Sequence, residues 1–103
     1  MSDAVTRSHL PDGRVVGWYG DPGVVVDAEV AGATPPPALV ERFGAAGFWE
    51  RWTAAECAAK LADVPMHLWL REHGLDHAGA RVVTTRRDGL VLSVGRAVTN
   101  PTA

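Results

Sequence analysis

The chain has 103 residues with a net charge of -2, and 47% of them are hydrophobic. That supports one small core, so a single globular domain is expected. The slightly acidic balance argues against a nucleic-acid partner, which would need a basic face to replace phosphate counterions.

No apolar run approaches a membrane span, and the polar first ten residues hold no apolar signal segment. The single cysteine, Cys57, leaves no internal disulfide framework and suits a reducing compartment. The expectation is a cytoplasmic protein with no membrane contact. Four tryptophans (Trp18, Trp49, Trp52 and Trp69) are many for this length. Large rings of this kind are readily buried against a second subunit, so a homo-oligomer is expected.

In chain order, residues 1–10 read as a flexible N-terminus. Pro11-Asp12-Gly13 signals a turn, and residues 14–19 follow as a short strand rich in valine and aromatics. Gly20-Asp21-Pro22-Gly23 is a second turn. Residues 23–30 then read as a strand whose Val24-Val25-Val26 run predicts burial on both faces. These two strands are expected to pair as a hairpin.

Three successive prolines, Pro35 to Pro37, remove backbone donors and make a stiff connector. A short helix is predicted over residues 37–43, since proline is tolerated in a first turn, and Gly44 to Gly47 breaks it. Residues 48–63 give the strongest helical pattern, with Phe48, Trp52, Ala55, Ala59 and Ala62 forming one apolar stripe. Val64-Pro65 ends this helix. Another runs over residues 65–73 with Met66, Trp69 and Leu70 inward, stopping at Gly74.

Residues 81–85 and 90–94 flank Arg86-Arg87-Asp88-Gly89, where Asp-Gly marks a tight primed turn. The single domain therefore spans residues 11–97, and 98–103 is a C-terminal tail. The predicted class is α+β, an antiparallel sheet from two hairpins packed on a central helix.

Glu56 and Lys60 are four apart on the long helix, the spacing of an ordinary surface ion pair. They share the stripe Trp49, Thr53, Glu56, Lys60 and Asp63, which borders the apolar face and places both heads at the edge of a packing surface. Asp27 and Glu29 are separated by one residue on a strand, so both carboxylates face the same side. If that strand end meets the helix, Asp27, Glu29 and Glu56 form an all-oxygen site of the kind Mg²⁺ prefers.

The remaining candidates are weaker. His73 and His77 straddle Gly74 and cannot share a helical face as paired zinc ligands do. His67 reads as a half-buried helix residue, and His9 lies in the loose N-terminus. Cys57, among alanines, reads as a packed and inert thiol. The Gly20–Gly23 turn has no helix after it and is not a phosphate loop.

Arg51-Trp52-Thr53-Ala54-Ala55-Glu56-Cys57-Ala58-Ala59-Lys60 resembles the signature of 4′-phosphopantetheinyl transferases. That signature is an aromatic residue, one or two small residues, Lys-Glu, a small residue, two variable residues and Lys. Upstream, Val25-Val26-Asp27-Ala28-Glu29 is similar to the family's second motif, a hydrophobic strand ending in Gly-x-Asp-x-Glu. The resemblance implies a lobe of that family's fold and Mg²⁺-dependent transfer of the 4′-phosphopantetheine arm from coenzyme A to a carrier-protein serine.

On the same basis Asp27, Glu29 and Glu56 would be the metal ligands. Glu56 and Lys60 would be catalytic, and Lys60 would lie against the coenzyme A phosphate. Outside the motif, Arg51, along with Arg14 and Arg42, is a further candidate for binding coenzyme A. The implied partners are an acyl or peptidyl carrier protein and further copies of the chain. The chain also departs from the signature: Ala55 stands where it has lysine, and Val26 where it has glycine. Those departures carry an alternative, a degenerate or repurposed relative that serves as an accessory protein or acts on another substrate in a carrier-dependent biosynthetic pathway. A third reading is an unrelated α+β interaction module.

Overall fold

A computed structural model describes residues 6–98. The expectations for residues 1–5 and 99–103, the start of the flexible N-terminus and most of the tail, lie outside the described residues. The elements are β1 (Thr6–His9), β2 (Val15–Trp18), β3 (Val24–Val30), α1 (Pro37–Phe43), α2 (Phe48–Ala62), α3 (Met66–His73), β4 (Ala80–Arg87) and β5 (Leu90–Ala97). The class is α+β. A two-stranded antiparallel ribbon, β1–β2, accompanies a three-stranded antiparallel sheet of order β3-β5-β4.

The local signals act where the chain places them. Proline occupies the first turn of α1, where its missing N–H is not needed. Asp63 ends α2 in the left-handed region at φ 56°. Its N–H and that of Val64 close on Lys60 O (3.1 Å) and Ala59 O (2.9 Å), satisfying carbonyls the helix leaves open. The β4–β5 hairpin turns on Asp88 (φ 54°) and Gly89 (φ 74°), the two positive angles of a primed turn.

Strand pairing departs from the expected first hairpin. Val15–Trp18 pairs with Thr6–His9, in the register Thr6↔Trp18 to His9↔Val15. Val24–Val30 pairs instead with Leu90–Ala97, in the register Val24↔Arg96 to Val30↔Leu90. The reason lies in the turn and in the valines. Asp21 Oδ1 accepts the Gly23 N–H at 2.7 Å, a local Asx turn that redirects the chain. The valine-rich β3 also needs cover on both faces, which a lone hairpin cannot supply.

Within the stretch read as a flexible N-terminus, Thr6–His9 forms the strand β1. Ser8 and Leu10 are buried while Arg7 and His9 are exposed, an alternation of period two.

The sheet is covered by α2 on one side and in part by the ribbon on the other. Leu10 and Val16 from the ribbon pack on Ala28, Val30, Leu90 and Leu92. The helix α2 lies on the opposite face, where Thr53 Oγ1 and Ser93 Oγ are 2.7 Å apart. A Cβ built on Gly95 would sit 3.0 Å from Cys57 Cβ, so helix and strand approach as closely as a side-chain-free position permits.

Burial along α2 is broader than the expected stripe. Phe48, Thr53, Ala54, Ala55, Cys57, Ala58 and Ala59 are buried, whereas Trp52 is half-exposed and Ala62 exposed. The helix is enclosed on two sides, by the sheet along Thr53 and Cys57 and by α3 through Trp69, which packs on Ala55, Ala58 and Ala59. Of the expected α3 face, Trp69 is buried and Met66 and Leu70 are half-buried. No helix among the described residues is long and apolar enough to cross a membrane.

Candidate functional site

The seam between β3 and α2 brings the sequence-nominated residues together. Asp27 stands opposite Ser93 and Glu29 opposite Val91, on the face that Ser93 presents to Thr53 of α2. From the helix, Glu56 and Lys60 reach the same seam at its rim. Asp27 is 6% exposed, whereas Glu29, Glu56 and Lys60 are half-buried.

Lys60 turns toward the strands. Its Nζ donates to Val26 O at 2.7 Å and Arg7 O at 3.1 Å, and lies 3.5 Å from Asp27 Oδ1. Two ammonium protons thus go to backbone carbonyls, and the same head forms an ion pair with Asp27. Ser8 works beside it. The Ala28 N–H donates to Ser8 Oγ at 3.0 Å, and the Ser8 hydroxyl proton is shared between Ala28 O and Asp27 Oδ1, both at 3.2 Å. β3 is an edge strand, and these two side chains replace the ladder that β1 does not form with it.

The electrostatics follow from burial and crowding. Asp27 is pushed up to about 7, first by desolvation and then by the Glu56 charge, with Lys60 pulling it back. Glu29 is raised by burial and by Glu56. Glu56 is raised by burial and held back by Lys60. Three carboxylates therefore share a seam with one ammonium. The Oδ2 atom of Asp27 is buried with no hydrogen-bond partner among the described residues, and such an atom calls for a proton, a water or a cation.

The donor chemistry fits a hard cation, which takes carboxylate oxygen. Among the described residues no group of three His, Cys, Asp or Glu side chains is arranged to hold a metal ion. The expected three-carboxylate grouping of Asp27, Glu29 and Glu56 is therefore not formed as a metal cage, although the charge of Glu56 is near enough to Asp27 to raise it. A cavity of about 390 Å³ opens at the C-terminal end of α2, lined by Ala59, Lys60, Asp63, Val64 and Pro65. Lys60 is thus both a wall of this cavity and a strut of the seam.

The other nominated cation is also engaged. Arg51 donates to Phe43 O at 2.7 Å, Gly44 O at 2.8 Å and Ala46 O at 3.1 Å, and so clamps the α1–α2 connection. Ala55 is fully buried in the cluster around Trp69. Its Cβ points into packing, so a longer side chain there would displace α3.

Cys57 is buried, and its thiol is pushed up to about 12, chiefly by desolvation, which removes it as a nucleophile at neutral pH. His9, His67, His73 and His77 are exposed, and the His73 ring lies 4.3 Å from that of Trp69.

Two groups escaped the sequence reading. One is Ser8, whose only signal is its place in the alternation Thr6, Ser8, Leu10. The other is a hydroxyl chain through the core. Thr53 donates to Trp49 O at 2.9 Å, so Ser93 donates to Thr53 and Thr84 to Ser93, each at 2.7 Å. A serine amid Leu90-Val91-Leu92-Ser93-Val94 was the available hint.

No protein-family model, no curated protein and no solved structure matches the chain.

Proposed function

We propose that the chain is a one-lobed relative of the 4′-phosphopantetheinyl transferases. On this reading its β3–α2 seam holds Mg²⁺ against the diphosphate of coenzyme A, and a carrier-protein serine accepts the phosphopantetheine arm. The observation that carries this reading is the buried Oδ2 of Asp27, without a partner among the described residues, in a seam of three carboxylates and one ammonium. Asp27 and Glu56 would hold the ion, with Glu29 flanking them. When bound, the ion would neutralise charge on the diphosphate, the main demand of phosphoryl transfer.

The chain's own residues have separate parts. Lys60 and Ser8 orient Asp27 through Oδ1 and leave Oδ2 without a partner among the described residues. Glu56, raised above the ordinary glutamate range, is the base that would take the serine hydroxyl proton. The reaction would form a bond from serine Oγ to the β-phosphorus and release 3′,5′-ADP. A carrier protein is the proposed partner, and a homo-oligomer the proposed assembly.

A second reading is favoured by a specific observation. Lys60 and Arg51 both spend their protons on backbone carbonyls, and buried Ala55 supplies no cation. A relative that has lost transfer and serves as an accessory protein in a carrier-dependent pathway would keep such struts.

One experiment separates the two. Apo-carrier proteins are incubated with the chain, coenzyme A and Mg²⁺ and weighed intact, while coenzyme A binding is measured with and without Mg²⁺. A carrier gaining the arm, with the gain lost in Glu56→Gln, supports transfer. Mg²⁺-dependent binding without any gain supports the accessory reading. The absence of both effects overturns the transfer reading.

A further inference from the structure

On the face of the sheet turned away from α2, β4 and β5 set two arginines side by side. Arg81 stands directly opposite Arg96, and Val83 directly opposite Val94. Both arginines are exposed, and neither forms an ion pair among the described residues. By contrast Arg14 pairs with Asp12 at 2.7 Å and Arg86 with Glu50 at 2.8 Å. Like charges directly opposite on a sheet repel. The pair also borders a cavity of about 230 Å³, lined by Arg81, Val83, Val94, Gly95 and Arg96. Its Val83 is 63% exposed, an apolar shelf beside two guanidinium forks.

We infer that this cavity is an oxyanion site for phosphate or a phosphomonoester, gripped between Arg81 and Arg96 with any attached organic group lying on Val83 and Val94. A guanidinium presents paired N–H donors that match the oxygens of a phosphate. A dianion between two of them turns the cross-strand repulsion into attraction on both sides. The inference does not rest on the proposed transferase activity. Val24, the β3 residue in register with Arg96, belongs to the alternate set of strand positions from Asp27 and Glu29, so the two sites lie on opposite faces of the sheet.

The test is an amide NMR titration of the full chain with inorganic phosphate, with phenyl phosphate, and with sodium chloride at matched ionic strength. Phosphate should shift the amides of residues 81–83 and 94–96 saturably, and chloride should not. Arg81→Gln and Arg96→Gln should each weaken binding about tenfold or more, the factor carried by one lost charge-assisted pair. Phenyl phosphate binding about fivefold tighter, through its covered ring, would assign the site to a phosphomonoester. Equal affinity would assign it to free phosphate.

A second readout is stability in low-salt buffer. Without phosphate, Arg81→Gln should melt no lower than the parent, because it relieves the repulsion. Added phosphate should raise the melting temperature of the parent only. Shifts that chloride reproduces, or binding unchanged in both variants, would overturn the inference.

Discussion

Replacing Asp27 by asparagine removes an ionisation from a nearly closed seam while keeping the side-chain shape. The carboxyl has an ordinary value of 3.8 and titrates at about 7 in the fold, because burial and the neighbouring Glu56 disfavour its charge. Below pH 4 both folded and unfolded chains carry the proton. Between pH 4 and 7 the unfolded chain has released it and the folded chain has not, so stability falls as pH rises. By pH 8 the loss is complete, on the order of 4 kcal/mol for a displacement of this size.

Glu29 and Glu56 are raised as well and add to the same slope. Asp12 and Glu50 are lowered, but their stability is lost only as pH falls into the acid range, outside this window. Urea denaturation at pH 5, 6, 7 and 8 in the presence of a chelator measures the effect. The parent should be least stable at pH 8. Asp27→Asn should keep less than half of the slope and exceed the parent at pH 8. A parent whose stability is flat or rising from pH 5 to 8 would refute the reasoning, as would an asparagine variant with the full parental slope.

Three other substitutions probe the struts. Lys60→Met leaves Val26 O and Arg7 O without this donor and Asp27 without its ion-pair partner and should cost about 2–4 kcal/mol. Hydrogen exchange should show β1 and β2 losing protection before α2 does. Arg51→Lys cannot span Phe43 O, Gly44 O and Ala46 O with one compact ammonium. It should cost about 1–2 kcal/mol by urea midpoint. Gly95→Ala sets a new methyl 3.0 Å from Cys57 Cβ, an atom fixed by the helix backbone. It should cost about 1–3 kcal/mol by overpacking, and an unchanged melting temperature would show that α2 yields freely.

The candidate site was legible in the sequence in part. Period-two placement put Asp27 and Glu29 on one face, and helical spacing put Glu56 and Lys60 at the edge of a packing stripe. The structure sets these residues on one seam. Which acceptors Lys60 would meet was not legible, since a lysine at the rim of a helix has the same pattern whether it grips a ligand or a carbonyl. Arg51 carries the same ambiguity. Ser8 was invisible because its partners, Ala28 and Asp27, come from a strand that turns no pattern toward it.

Local chemistry by itself determined the helices and the closing hairpin. Pro37, Gly44, Gly47 and Pro65 bound the helices through fixed φ angles or missing side chains, and Asp88-Gly89 accepts the positive angles of a two-residue turn. These effects act within a few residues and need no partner. Tertiary structure alone decided that β3 pairs with β5 instead of β2, and that α2 is enclosed on two sides. Both depend on which distant surfaces can bury valine and alanine together. The same packing brings the charge of Glu56 close to Asp27, whose Oδ2 it leaves buried without a donor among the described residues.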